Sequence, residues 1–292
     1  MIDLHLHSTF SDGSMTPASL VVEAKDLGLT AIALTDHDIV DGIPEFMDSG
    51  RKWGIITVPG VEISVDTKLP NNGHMHILGL FIDYNSKKMK NIVDNLRKER
   101  NLRGERIIRR LNDLSVAITM EELLEEAGEG SIGRPHLAKI LVRKQVVSST
   151  QKAFDVYLGK GRPAYIDKVK LGESDAIKMV KDAGGLAILA HPHLMKYDTF
   201  EETQKKIMEL KDLGLDGIEA YHTGMSEFNA KKLQKLAKTL DLAVSGGSDF
   251  HGANKEGISM GSGKKNLNIP DHLIVQLEAR WKESKKKNRE ND

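Results

Sequence analysis

Short apolar runs, each followed by a stretch with helical periodicity, organise the first part of the chain. Residues 1–8 alternate apolar and polar side chains with a period of two, which predicts a strand. Successive side chains of a strand point to opposite faces, so the polar face would carry Asp3, His5 and His7, and Ile2, Leu4 and Leu6 would take the other. Two imidazoles one residue apart on one face can bind a metal ion. The ordinary alternative is a pair of surface histidines on an edge strand.

The alternation of strand and helix continues beyond this first strand. Thr16 and Pro17 have the residue types of an N-cap and a first helical position, and they predict the start of a helix. Further strands are predicted at 31–35, 55–63 and 75–82, with another helix between the first two of them.

The pattern changes at about residue 86. Up to about residue 160 the chain has helical periodicity, many charges and no convincing strand. Thr119 and Glu122 have the spacing of a capping box at the start of one of these helices. We therefore expect an inserted helical subdomain at 86–160, between the two parts of a barrel domain at 1–85 and 161–292.

The alternation resumes after the insertion. Apolar runs at 186–190, 217–222 and 243–247, each preceded by a helical stretch, bring the predicted strands to seven. Such alternation indicates a parallel α/β sheet. Six strands carry His, Asp or Glu at or just past their C-terminal ends, and in the fourth His76 comes early. Because those ends meet on one face of a (β/α) barrel, this pattern favours a closed or nearly closed barrel over an open doubly wound sheet.

The residues at these strand ends are candidate metal ligands. Nine of them have nitrogen or oxygen donors: His5, His7, Asp12, His37, Glu62, His76, His191, Asp249 and His251. Taken singly, each has an ordinary explanation, such as a turn-forming aspartate or a surface acid. Their joint placement favours a metal centre, and nine ligands suit two or three divalent ions better than one. Without cysteine, the plausible metals are Zn, Mn and Fe.

Composition limits the kinds of partner. The 292 residues are 39% hydrophobic, and Lys+Arg and Asp+Glu both total 42, so no overall field steers the chain toward nucleic acid or an anionic membrane. An anionic substrate must then be bound by local positive charge. No signal peptide and no apolar run near the ~20 residues of a membrane span is apparent. We expect a cytoplasmic location, no membrane association and no obligate protein partner.

Seven short motifs resemble the PHP (polymerase and histidinol phosphatase) family. They are His5-x-His7, Ser11-Asp12-Gly13, Thr35-Asp36-His37-Asp38, Pro59-Gly60-Val61-Glu62, His76-Ile77-Leu78-Gly79, Ala190-His191-Pro192 and Gly247-Ser248-Asp249-Phe250-His251. They span nearly the whole chain in order. Gly133-Arg134-Pro135-His136 and Gly161-Arg162-Pro163-Ala164-Tyr165 also resemble the subgroup that contains 3′,5′-nucleoside bisphosphate phosphatases and 5′→3′ exoribonucleases.

The resemblance implies a distorted, TIM-like (β/α)7 barrel with a trinuclear metal site. Carried over by position, the first ion would take His5, His7, Glu62 and Asp249. The second would take Glu62, His76 and His191, with Glu62 bridging, and the third would take Asp12, His37 and His251. Some family members have histidine where this chain has Asp12, and a carboxylate there would favour Mn or Fe.

The resemblance also implies the activity. The chain would be a metal-dependent phosphoesterase that uses a metal-bound hydroxide, with Glu62, His191, Asp249 and His251 as catalytic residues. Its expected substrate is the 3′-phosphate of 3′,5′-nucleoside bisphosphates, or the 5′ end of short RNA, or both. Histidinol-phosphate hydrolysis is one alternative, and a non-catalytic module with this fold is another.

Arginines in and beside the insertion are candidate phosphate ligands. Arg134 has a guanidinium that can bind phosphate oxygens bidentately. Arg100 and Arg103 lie three residues apart on a predicted helix, so they share a face. The alternative for this pair is a solvated helix face.

Four further histidines are candidates for other roles in the site. His136, His193 and His222 are expected to contact substrate, and His193 or His251 could protonate the leaving ribose oxygen. The alternatives are a helix cap for His136 and loop or supporting positions for the other two. His74 remains open as an additional ligand.

Overall fold

The computed structural model describes residues 1–128 and 130–290, and its strands form a barrel-shaped sheet. The strands are β1 (Ile2–Leu6), β2 (Ala31–Leu34), β3 (Ile56–Asp66), β4 (Met75–Leu80), β5 (Leu171–Gly172), β6 (Leu186–Leu189), β7 (Gly217–His222) and β8 (Ala243–Gly247). The helices are α1 (Pro17–Asp26), α2 (Ile43–Trp53), α3 (Lys87–Asp113), α4 (Met120–Ala127), α5 (Arg134–Arg143), α6 (Thr150–Ala153), α7 (Glu173–Asp182), α8 (Phe200–Asp212), α9 (Glu227–Thr239) and α10 (His272–Glu290).

The sheet nearly closes on itself. Its seven main strands follow the order β1-β2-β3-β4-β6-β7-β8. Beyond the last strand, the Asp249 N–H donates to the His5 carbonyl at 3.0 Å and the His7 N–H donates to the Phe250 carbonyl at 3.0 Å. The predicted seven-stranded α/β barrel is confirmed.

One strand runs against the others. β4 pairs antiparallel with both β3 and β6, whereas the remaining pairs are parallel. The predicted all-parallel sheet is therefore wrong at β4, because the short connection after β3 contains no crossover helix and parallel neighbours require one. The short β5, which the sequence did not predict, pairs with the end of β3.

β1 does not alternate strictly. The pairing between β1 and β2 shifts register between Asp3 and Leu6, so that β1 has one extra residue over this stretch. Ile2 and Leu4 pack in one hydrophobic cluster and Leu6 packs in another, so the prediction that all three share a face is wrong. The Asp3 carboxylate accepts from the backbone N–H of Ser248 and of Gly261 instead of joining the two histidines.

Apolar side chains line both sides of the sheet. Ile2, Ala33 and Leu78 belong to a cluster that also contains Leu273 and Leu277 of α10. A larger cluster joins alternate residues of the same strands to α1, α2, α7, α8 and α9. The barrel wall is thus buried on both sides, as nearly continuous apolar strands require.

The segment between β4 and β5 is helical. α3 to α6 share a hydrophobic cluster of their own that includes Ile107, Leu123 and Leu137. The capping box predicted at Thr119 and Glu122 starts α4 as expected. Within the described ranges no helix is long and apolar enough to cross a membrane.

Candidate metal centre and substrate cavity

The nine residues predicted as metal ligands come together at one edge of the barrel. Within the described residues they form four overlapping groups whose potential ligand atoms lie within 4.8 Å of one another. Most follow the C-terminal end of a parallel strand. His76 is early in β4, and because β4 is reversed, its beginning reaches the same edge. The reversed strand therefore explains the one position that did not fit the strand-end pattern.

Glu62 of β3 lies at the centre of the cluster. Its Oε1 is 2.6 Å from His76 Nδ1 and 2.9 Å from His191 Nε2. Its Oε2 is 3.4 Å from His5 Nε2, 3.3 Å from His7 Nε2 and 2.9 Å from His37 Nδ1. The two oxygens of this carboxylate thus face different sets of histidines.

Two aspartates complete the cluster on either side of His7. Asp249 Oδ1 is 3.6 Å from His5 Nε2 and 3.4 Å from His7 Nε2. Asp12 Oδ1 is 3.3 Å from His251 Nε2, and Asp12 Oδ2 is 3.9 Å from His37 Nε2. Each aspartate therefore faces at least two histidines of the cluster.

Several atoms of the cluster suit a bound cation. Among the described residues, six buried polar atoms of the cluster have no hydrogen-bond partner: His5 Nε2, His7 Nε2, Asp12 Oδ1, His37 Nδ1, Glu62 Oε2 and His191 Nδ1. Buried polar atoms are rarely left unpaired, and each one needs an explanation. A divalent cation among these atoms would supply the missing partner, so the donor set fits a metal centre.

Glu219 of β7 supports the cluster from behind and was not predicted. Its Oε1 accepts from His5 Nδ1 at 2.9 Å, which leaves His5 Nε2 free to bind a metal. Its Oε2 accepts from the backbone N–H of His191 at 2.7 Å. The signal in the sequence was an acid inside the apolar run of β7. His251 is oriented in the same manner, because its Nδ1 donates to the Asp249 carbonyl at 2.9 Å.

The charge states of the cluster favour cation binding. Burial alone would raise the pKa of Glu62, Asp12 and Asp249, but the surrounding histidines hold each of these pKa values well below its usual range. These carboxylates are therefore ionised. Burial lowers the pKa of His76 to about 3, so that this imidazole is neutral, the form that binds metal.

Burial opposes protonation of His5 as well, but Glu219 and Glu62 raise the pKa of His5 overall. For His7, burial is again outweighed by Asp249 and Glu62, and its pKa rises to about 10. Because metal ligation requires the neutral imidazole, binding a cation at these two residues would release protons.

Two candidate ligands and one neighbour have unusual backbone conformations. His191, Asp249 and Asp38 have φ values of 27°, 57° and 54°, in the region that favours glycine. Such strain persists only where the surrounding structure imposes it, and it concentrates at functional sites. Here the three residues lie in the segments that follow β2, β6 and β8, next to the cluster.

A cavity of about 700 Å³ opens beside the cluster. Asp12, His37 and His76 line part of it. Its lining also contains seven cationic side chains: Lys68, Arg100, Arg103, Arg134, Lys160, Lys168 and Lys170. The lining contains only three carboxylates, those of Asp12, Asp66 and Asp167, and the buried Asp38 outside the lining pairs with Arg100 and Lys168. The size is that of a small-molecule site, and the charge favours an anion.

The three predicted arginines all line this cavity, but their partners differ. Arg100 is 2.5 Å from Asp38 Oδ2. Arg103 Nε donates to the Ile166 carbonyl at 2.8 Å, and Arg134 donates to the Leu158 carbonyl at 3.0 Å. Arg103 and Arg134 have no carboxylate partner within the described residues, so their charges are available to an anion, whereas Arg100 already has one.

The four remaining histidines differ in whether they line the cavity. His136 is buried outside the cavity lining, and its Nδ1 accepts from the Gly133 N–H at 3.1 Å, so it caps α5 rather than facing a substrate. His222 lies behind the cluster, with Nε2 3.5 Å from Asp249 Oδ2, and His193 packs against it. His74 lines the cavity next to His76. The predicted substrate contacts of His136, His193 and His222 therefore receive no support from the cavity.

Comparison with known protein families shows to which family the chain belongs. The model of the PHP domain family matches residues 3–158. The chain belongs to the PHP domain family.

Several relatives of this PHP protein are named as enzymes that cleave phosphoester bonds. A 5′-3′ exoribonuclease of Haemophilus influenzae is 35% identical over 273 residues, which cover 93% of this chain and 96% of the relative. A 3′,5′-nucleoside bisphosphate phosphatase of Chromobacterium violaceum is 30% identical over 281 residues, which cover 96% and 97%. A solved structure from Bifidobacterium adolescentis, named as a metal-dependent phosphoesterase, has a TM-score of 0.83 at 29% identity and covers 96% of each chain. The predicted enzyme class, a metal-dependent phosphoester hydrolase, is confirmed.

Proposed function

We propose that this PHP protein removes the 3′-phosphate from 3′,5′-nucleoside bisphosphates. One observation carries the proposal: the candidate metal ligands His37 and His76 line the same cavity as Arg103 and Arg134. A nucleotide with two phosphates could then present one to the metal edge and the other to the arginines. The bisphosphate phosphatase relative supports the same substrate.

The metal centre in this proposal consists of two or three divalent ions, Mn, Zn or Fe. The first ion would be held by His5, His7, Glu62 and Asp249, the second by Glu62, His76 and His191, and the third by Asp12, His37 and His251. Bound ions of this kind supply Lewis acidity and lower the pKa of a coordinated water toward neutrality. The split of Glu62, with each oxygen near a different set of histidines, supports its assignment as the bridge.

The protein side chains orient the ligands and the substrate. Glu219 holds the His5 ring through Nδ1, and the Asp249 carbonyl holds the His251 ring in the same way. His251 thereby acts as a ligand through Nε2 and not as the proton donor. Arg134 stacks over Tyr165 at 5.2 Å, which fixes its guanidinium plane at the cavity wall for a phosphate that is not being hydrolysed.

Trimming of short RNA from its 5′ end is the second candidate. The 35% identity to an exoribonuclease favours it, and the same cluster could hydrolyse a phosphodiester. Both reactions would cleave the 3′ phosphoester bond of a nucleotide.

The experiment that separates them uses two substrates. Metal-loaded protein is incubated with adenosine 3′,5′-bisphosphate and with a 5′-phosphorylated oligoribonucleotide, and the products are resolved by chromatography. Inorganic phosphate with adenosine 5′-monophosphate supports the phosphatase, whereas mononucleotides from the oligomer support the exoribonuclease. Absence of both products from protein with verified metal content would reject the proposed substrates.

A further inference from the structure

Lys168 lies where the chain returns from the helical segment to the barrel, and its side chain lines the cavity. Its ammonium group forms an ion pair with Asp38 and donates to Ser64 Oγ at 2.5 Å. An ammonium group has three N–H donors. These two contacts therefore leave one donor of Lys168 for a ligand in the cavity.

Backbone contacts hold this part of the chain in place. Two arginines of α3 bind the carbonyls just before Lys168: Arg103 donates to Ile166 at 2.8 Å and Arg110 donates to Tyr165 at 2.5 Å. The Lys168 side chain is only 16% exposed. It therefore occupies a defined position, unlike a freely moving surface lysine.

The charges around Lys168 do not cancel. The buried Asp38 carboxylate has two cationic partners, Lys168 and Arg100, and it also accepts from the Ser64 N–H at 3.1 Å. One negative charge faces two positive charges in a largely desolvated wall, which leaves a surplus positive charge there. An anion in the cavity would balance it.

The position is close to the metal edge. Asp38 directly follows the candidate ligand His37, and Ser64 pairs across from the candidate ligand His76. Both partners of Lys168 are thus neighbours of the residues that would hold the reacting phosphate.

We propose that Lys168 binds a phosphate oxygen of the substrate, with Asp38 and Arg100 as positioning residues. The inference rests on the proposed phosphatase function. Burial, followed by the nearby charge of Arg100, lowers the pKa of Lys168 to about 8 despite the opposing effect of Asp38, and Arg103 lowers it further. A phosphate beside the ammonium group would favour its protonated form.

The first test is a comparison of substitutions. Because this contact exists in both the bound and the transition state, Lys168→Met should raise KM for adenosine 3′,5′-bisphosphate by about tenfold or more and change kcat by less than about threefold. Lys168→Arg should recover part of the loss. Lys181→Met is the matched control. Lys181 lies on α7 outside the cavity, and its Nζ is 2.7 Å from Asp216 Oδ1. If Lys168→Met and Lys181→Met both leave KM unchanged, the inference is wrong.

The pH dependence gives a readout that a purely structural ion pair would not change. At pH values above about 8, the ammonium group of Lys168 loses its proton, so KM of the wild-type protein should increase. KM of Lys168→Arg should increase less over the same range, because arginine stays protonated. Parallel KM profiles for the two proteins would contradict the inference.

A binding measurement separates this inference from the proposed substrate. The Kd of inorganic phosphate for the Mn-loaded protein is measured by calorimetry, and Lys168→Met should weaken it by about tenfold. If Lys168→Met binds phosphate about tenfold more weakly than the wild-type protein, but the wild-type protein releases no phosphate from the nucleotide, the proposed substrate is wrong and the role of Lys168 stands. Equal phosphate affinity in the two folded proteins overturns the role. If Lys168→Met does not fold, Lys168→Gln is judged by the same criterion.

Discussion

Glu62 is the residue on which the candidate metal centre depends most. Its two oxygens lie between 2.6 and 3.4 Å from nitrogen atoms of five histidines. Loss of this carboxylate would remove the ligand that the first two ions share and would leave the buried histidines without their central acceptor.

Glu62→Ala should therefore reduce phosphate release by at least about a hundredfold and reduce bound metal. Colorimetric phosphate assay and elemental analysis measure both effects. Glu173→Ala is a suitable control, since it removes a carboxylate of α7 that pairs with Lys206 of α8. Normal turnover of Glu62→Ala after verified metal loss would contradict the assignment.

Glu219 tests whether the ligands depend on their supporting contacts. Glu219→Gln keeps one acceptor oxygen for His5, but it loses the acceptor for the His191 N–H and the buried negative charge, so metal affinity should fall about tenfold. Metal titration gives the affinity, and circular dichroism gives the fold. An unchanged metal Kd would mean that Glu219 has no role beyond packing.

The sequence predicted the candidate metal ligands better than the residues that orient them or line the cavity. All nine predicted ligand residues gather in the cluster, because His, Asp and Glu at strand ends form a visible pattern. Glu219 lies within a strand between apolar residues, and Lys168 follows a segment without periodicity, so neither stood out. The contacts of His136 and Arg100 depend on tertiary structure that no local pattern reports.

At the scale of elements, the junction of β1 and β8 brings distant parts of the chain to one site. Gly247 at the end of β8 lies against β1, and a Cβ atom there would be 2.2 Å from His5 Cβ and 2.6 Å from His5 N. Only a residue without a side chain permits this approach, so the glycine sets the position of His5.

Gly247→Ala should destabilise the protein by about 1–3 kcal/mol, because β1 must shift to admit the methyl group, and it should lower metal content as His5 moves. Denaturant unfolding measures the first effect. Gly172→Ala serves as control, since its Cβ would meet nothing closer than 3.8 Å and its φ is −64°. Wild-type stability and metal content in Gly247→Ala would refute this account of the junction.

At the scale of elements, the direction of β4 was the main error of the prediction from the sequence. Alternation of strands and helices correctly predicted the parallel strands, but β4 follows β3 without an intervening α-helix. The eight residues between β3 and β4 are too few for a parallel crossover, so the connection length carried the missing information. The early position of His76 was a second sign of the reversal.

For the whole molecule, the site exists only in the folded chain. Its predicted ligands extend from His5 to His251 and come from nearly every strand of the barrel. We propose that 86–160 is a helical subdomain inserted between the barrel parts 1–85 and 161–292. The hydrophobic cluster shared by α3 to α6 supports this division, but Ala164, just past the proposed boundary, packs in that cluster, and Met89 and Val93 of α3 pack in the barrel cluster.

Metal removal should therefore lower the melting temperature of the whole protein. Ions that bind the folded state alone stabilise it, by about 2.7 kcal/mol when the free ion is at a hundred times its Kd. Thermal melts with a chelator, and then with Mn, Zn or Fe(II) restored, measure the shift. Glu62→Ala should respond much less. Identical melts of the wild-type protein with and without metal would contradict a structural contribution of the ions.

The number of divalent ions bound per chain tests the central claim most directly. The wild-type protein, loaded with Mn, Zn or Fe(II) and freed of excess metal, is measured by elemental analysis against its concentration. We expect about two or three ions per chain, and fewer in folded Glu62→Ala. A folded, active wild-type protein with less than about one ion per chain would contradict the account.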